Sequence, residues 1–156
     1  MMQLNLIKSC MSVSNRTTKQ IFTESIEDGL KNGIVPLVYG DVVVDAERGC
    51  DVYSTERVFD ELAKYFAKDY QVKVIHVSAE EGVYKTGQAS VFEEITRENF
   101  EEVKQHLGGS KGVDVSGGML HKVEECLELT KLGINSVIVS GMVEGRVEEV
   151  ISGKKT

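Results

Sequence analysis

The stretch Asp114-Val115-Ser116-Gly117-Gly118-Met119-Leu120-His121-Lys122 runs directly into Val123-Glu124-Glu125-Cys126-Leu127-Glu128-Leu129, and its reading organises the rest of the chain. A glycine pair stands just before a segment of helical periodicity, and a lysine lies within the first turn or so. Glycines let the backbone pass close to a ligand with its amides turned outward. A helix N-terminus adds unpaired N–H donors and partial positive charge, a combination that favours a phosphate. Lys122 adds a full charge on a long stem within reach of the same anion. An ordinary loop-to-helix turn with an exposed lysine carries the same residues, so the stretch takes its meaning from its surroundings.

Outward from that helix, strand patterns alternate with helical ones. Downstream, the helix runs to about 131, a buried strand follows at 135–139, and a short helix spans 143–151 before Gly153. Upstream, 108–112 is a glycine-rich loop, Thr96 caps a helix over 97–107, and 85–94 is polar and irregular. The apolar run 72–77 predicts a second buried strand. The loop 78–84 lies at its carboxyl end, where ligands of open α/β sheets tend to sit. Ser54, Thr55 and Glu56 supply a cap and a first-turn acid for a helix through about 67, with Val58, Leu62, Tyr65 and Phe66 on its core side. Segments 42–45 and 51–53 flank a loop containing Gly49 and form a β-hairpin. The run 34–39 is a strand whose Pro36 favours its start or an edge. A helix is expected over 19–32, stopped by Gly33, with 12–18 as a loop and a short helix over 2–11. The alternation predicts one α/β domain over 1–156: a mostly parallel sheet with helices on both faces, right-handed crossovers and one hairpin.

At 156 residues, the chain has room for one domain with a real core. Its 41% hydrophobic and 28% charged residues fit a globular protein. A net charge of -7 argues against a general binder of nucleic acid or anionic membrane. A local basic or amide-lined pocket can still hold a nucleotide. The sequence has no apolar run of membrane-spanning length and no signal-peptide pattern, so a cytoplasmic protein is expected. Cys10, Cys50 and Cys126 form no CxxC pair, and His76, His106 and His121 are scattered. Reduced packing thiols and a satisfied core histidine are the expectation, with no metal site built from protein ligands.

Four stretches in order resemble the amino acid kinase superfamily, and most closely its isopentenyl phosphate kinases. They are Gly-Ile-Val-Pro-Leu-Val-Tyr-Gly-Asp-Val-Val (33–43), Ser-Thr-Glu with Glu61-Leu62-Ala63 downstream (54–63), Ser-Ala-Glu-Glu-Gly-Val-Tyr (78–84) and Asp-Val-Ser-Gly-Gly-Met-Leu-His-Lys (114–122). Their order and spacing match the carboxyl-terminal, nucleotide-binding part of that fold. The resemblance implies phosphoryl transfer from ATP to isopentenyl phosphate, giving isopentenyl diphosphate. That chemistry needs positioned phosphates and positive charge more than covalent intermediates. In this picture Lys122 holds the ATP phosphates, helped by amides around Gly117 and Gly118, and acts in catalysis. Ala79 and Glu80 lie against the nucleoside, Thr55 stands at the phosphate substrate, and Glu56 takes the place of an aspartate that orients the family's catalytic lysines. Mg²⁺ accompanies ATP, bridging phosphates rather than filling a protein-only cage.

The chain departs from the family pattern in three places. The usual Ser-Gly-Asp is Ser54-Thr55-Glu56, and the usual Thr-Asp-Val-Asp-Gly-Val is Ser78-Ala79-Glu80-Glu81-Gly82-Val83. One acid of the second motif is lost and the other lengthened. The family's amino-terminal lysine-glycine loop and glycine-rich, histidine-ended stretch have no counterpart, as if the chain were part of a longer or truncated kinase. One alternative is a non-catalytic relative that binds a nucleotide or a subunit, its exposed apolar faces covered most simply in a homodimer. Another is a kinase of the same superfamily with a different acceptor: UMP, carbamate or an amino acid. Glu56 as a plain first-turn acid, Asp114 as a turn cap and Asp41 as a strand-end cap remain open beside these roles.

Overall fold

The structure, a computed structural model, describes residues 3–6, 11–15, 17–87, 89–107 and 118–154. Its elements are β1 (Gln3–Leu6), β2 (Met11–Ser14), β3 (Thr17–Ile21), α1 (Glu24–Lys31), β4 (Ile34–Leu37), β5 (Asp41–Asp45), β6 (Gly49–Tyr53), α2 (Thr55–Phe66), β7 (Lys73–Ser78), α3 (Phe100–Leu107), α4 (Gly118–Thr130), β8 (Asn135–Ser140) and α5 (Arg146–Ile151). This is the mixed α/β fold expected, and it divides into two compact units, Met1–Lys68 and Asp69–Thr156.

In the first unit, β1 and β4 pair in parallel, from Gln3 opposite Ile34 to Leu6 opposite Leu37. The helix expected over 2–11 is therefore replaced, where the structure describes it, by strand. Leu4 and Leu6 fit a period of two as well as a helical one, and a parallel partner about thirty residues on supplies the backbone hydrogen bonds. The expected loop over 12–18 is instead an antiparallel hairpin of β2 and β3, with Asn15 in the left-handed region at φ 47°. Because Lys19, Gln20 and Ile21 belong to β3, α1 starts only at Glu24.

β3, β2, β5 and β6 lie side by side in that order, with β2 and β5 parallel and β5 and β6 antiparallel. Alternation decides the faces: Val43, Asp45 and Tyr53 point inward, while Val42, Val44 and Val52 are exposed. Val43 and Tyr53 join Val13, Ile26, Val58 and Leu62 in one core, with Val58 and Leu62 stacked one helical turn apart on α2. Ser54 caps α2 as expected, its hydroxyl accepting from Arg57 N at 3.3 Å. Two polar groups tie this unit together. Asp45, 1% exposed, accepts through one oxygen from the amides of Asn15, Glu47 and Arg48 at 3.0, 2.9 and 3.0 Å. Glu27 of α1 accepts from Thr23 and from Tyr65 of α2, both at 2.8 Å.

In the second unit, β7 and β8 pair in parallel from Lys73 opposite Asn135 to Ser78 opposite Ser140. Both α4 and α5 pack on β8. Val83, Val103, Val123 and Leu127 form the core, with Phe92, Phe100, Met119 and Ile138 against it. Thr96 and Asn99 exchange side-chain-to-amide bonds of 2.8 and 3.4 Å around the turn that leads into α3. The expected loop over 108–112 lies outside the described residues. Among the described residues, no helix is long and apolar enough to cross a membrane.

Candidate functional site

The carboxyl ends of two parallel strands are where an α/β sheet leaves room for a ligand, because the chain diverges there into loops. β7 and β8 end together at Ser78 and Ser140, and one further ladder bond, Gly141 N to Ser78 O at 2.8 Å, closes the pair. Beyond it the chain turns into 79–83 on one side and 141–145 on the other. α4 enters β8 through the short turn after Thr130, so it runs back along the strand it packs on. Its N-terminus is thereby placed at the carboxyl end of β8. Thirteen helical residues and six strand residues have about the same length, roughly 20 Å, so the two ends are level.

The loop and the helix start are also packed directly. Val83, 3% exposed, shares a core with Met119 and Val123 from the first turns of α4. Four of the residues singled out in the sequence, Ala79, Glu80, Gly118 and Lys122, are thus gathered at one end of one parallel pair. Gly118 opens α4, whose first turn carries no acidic residue. The first amides of that helix have no partner within it, and Lys122, half-buried one turn on, has no hydrogen-bond or ion-pair partner among the described residues. Gly117, with Asp114 and Ser116, lies outside the described residues.

The loop is held by its own short bonds. Ser78 Oγ donates to Glu80 O at 2.8 Å and accepts from Glu80 N at 3.1 Å. Ser140 Oγ donates to Ala79 O at 3.1 Å and accepts from Met142 N at 3.1 Å. The side chains of Ala79 and Glu80 are left exposed. Sequence reasoning missed two participants, Ser140 and Arg146. Arg146 Nη2 donates to Glu81 Oε1 at 3.0 Å, across 65 residues of chain. A pairing over that separation leaves no local signal.

Thr55 and Glu56 belong to the first unit. Thr55 Oγ1 accepts from Gly40 N at 2.9 Å, so the added hydroxyl has a backbone partner, and Glu56 is an exposed acid in the first turn of α2. Among the described residues Cys50 and Cys126 form no disulfide, and no group of three His, Cys, Asp or Glu side chains is placed to hold a metal.

Comparison with known proteins agrees with this architecture. The isopentenyl phosphate kinase of Methanothermobacter thermautotrophicus is 30% identical over 137 residues, covering 83% of this chain and 49% of that protein. The acetylglutamate kinase of Wolinella succinogenes is 32% identical over 131 residues, covering 83% of this chain and 42% of that one. A solved isopentenyl phosphate kinase superposes with a TM-score of 0.70 at 22% identity, over 99% of this chain and 57% of that one. The chain spans about half the length of the curated relatives it matches. Residues 3–140 match the model of the amino acid kinase family, and the chain belongs to that family.

Proposed function

We propose that these 156 residues form the carboxyl-terminal, nucleotide-binding part of a kinase of this family that transfers a phosphoryl group from Mg-ATP to isopentenyl phosphate. The observation that carries the nucleotide half is Lys122: a cation one turn into a helix whose first turn is free of acids, with no hydrogen-bond or ion-pair partner among the described residues. Such a group fits a polyphosphate, since the amides of a helix start and an ammonium both favour negative charge. Lys122 and the amides at Gly117 and Gly118 hold the phosphates, and Lys122 balances charge on the transferred group. Ala79 and Glu80, exposed on the tethered loop, lie along the nucleoside. Mg²⁺ travels with the phosphates, which suits a second unit whose Glu81 is already paired with Arg146. Thr55 and Glu56 are assigned to the acceptor side, as the family resemblance implies.

The choice of acceptor rests on the isopentenyl phosphate kinases among the relatives. The acetylglutamate kinase match supports a second reading, a carboxylate-bearing acceptor on the same nucleotide site.

Calorimetric titration of the chain with Mg-ATP, beside Lys122→Ala, tests the nucleotide site. Saturable binding that weakens by about tenfold or more in the variant is expected, the size of one lost charged contact. A well-folded chain that takes up no Mg-ATP overturns the proposal. Acceptor-dependent ADP release with isopentenyl phosphate against N-acetylglutamate then separates the two readings.

A further inference from the structure

The loop that carries Ala79 and Glu80 is fixed from the far side of the sheet end. Glu81 Oε1 accepts from Arg146 Nη2 at 3.0 Å, and its other oxygen accepts from the backbone amide of Ser140 at 3.5 Å. Both partners are about seven-tenths buried at their side chains, so this pair is screened less than the exposed pairs elsewhere on the chain. Arg146 is the first residue of α5, where a cation opposes the helix's own field. Its charge is met instead by Glu81 on one side and Glu149, at 3.5 Å, on the other. Gly145, in the left-handed region at φ 79°, turns the chain into α5 immediately before it. From Ala79 to Val83 the backbone is therefore tethered at three successive odd positions: Ala79 O to Ser140, the Glu81 carboxylate to Arg146, and Val83 in the core with α4. Glu80 between them keeps its side chain exposed, its backbone held by Ser78 Oγ.

We infer that Arg146 is a positioning residue for the nucleotide site, which through Glu81 pins the 79–83 loop in the conformation that presents Ala79 and Glu80. The inference rests on the proposed nucleotide role of that loop. An unpinned loop must be ordered when the nucleotide arrives, and that cost appears as lost affinity.

A double-mutant cycle on the whole chain tests it, with Glu81→Gln, Arg146→Met and both together, and Arg146→Lys as the conservative variant. Mg-ATP affinity is read by calorimetry, and amide hydrogen exchange is read at residues 79–83. Each single change is expected to weaken binding about tenfold and speed exchange in the loop. The double variant should be no worse than either single one, because both remove the same tether. Arg146→Lys, which keeps the charge but loses the fork, should recover part of the affinity. Unchanged loop exchange in both single variants overturns the pin, as do additive losses in the double. Failure of the unmodified chain to bind Mg-ATP overturns the nucleotide reading instead, and loop exchange alone then decides whether the pair holds the loop. Should Arg146→Met not fold, Glu81→Gln and Arg146→Lys carry the same comparison.

Discussion

Gly40 and Thr55 are locked together where β4 hands over to β5 and β6 to α2. The amide of Gly40 donates to Thr55 Oγ1 at 2.9 Å, and a Cβ built on Gly40 would lie 2.6 Å from both Thr55 N and Tyr53 O. The contact is with backbone, which cannot swing aside. Gly40→Ala is therefore expected to destabilise the chain by about 3 kcal/mol, the upper end of overpacking costs. Thr55→Val, which removes only the acceptor, should cost about 1 kcal/mol. Urea unfolding of the two variants measures both, and equal losses would show that the close approach is not what matters.

Asp45 holds the β5–β6 loop and the β2–β3 turn through three amides on a single oxygen. Asp45→Ala leaves those donors without a partner beside a buried position and is expected to cost about 2–4 kcal/mol. Asp45→Asn keeps an acceptor there and should cost less than half as much. Thermal melting of both, with the wild type, reads the difference.

Glu27 gives the first unit a dependence on acid. The Tyr65 hydroxyl, and after it that of Thr23, stabilises its carboxylate, and its pKa lies below the ordinary glutamate value. A carboxyl whose pKa is lowered by folding contributes stability in full above its unfolded value. That contribution is lost as the pH falls through the lowered one. Tyr65→Phe should raise the Glu27 pKa and shift acid unfolding to higher pH, with little change at neutral pH beyond the lost bond. Carbon-detected NMR titration of the glutamate carboxyls, together with a circular-dichroism acid titration, checks the direction.

Gly145 sits at φ 79° with nothing within 4 Å of where a Cβ would stand. Any penalty for Gly145→Ala is consequently backbone strain alone, about 1–2 kcal/mol. The melting temperature should fall by several degrees, and α5 should exchange its amides faster than the rest of the second unit. Equal protection before and after would mean that the turn relaxes without disturbing α5.

Local rules account for much of what was legible in the chain. The β5–β6 hairpin is announced by alternation and a glycine turn, and α2 by the Ser54 cap and the spacing of Val58 and Leu62. β7, α4 and β8 show their strand and helix periods within single short windows. The first twenty residues resisted for a definite reason. Their apolar positions suit two periods, and the strand that settles β1, β4, begins at Ile34. Lys122 and the 78–84 loop could be marked from their residue types, whereas their meeting at one sheet end required the parallel pairing of β7 with β8 and the packing of Val83 against α4.

By itself, then, the sequence determined the α/β class and most strands and helices, and marked the residues proposed for the phosphates, because each depends on neighbours within about one helical or strand repeat. The tertiary structure alone decided the amino-terminal strands, the Gly40–Thr55 contact and the Glu81–Arg146 tether. These bring together atoms far apart in the chain, and only the folded backbone, by closing those loops, makes such contacts favourable.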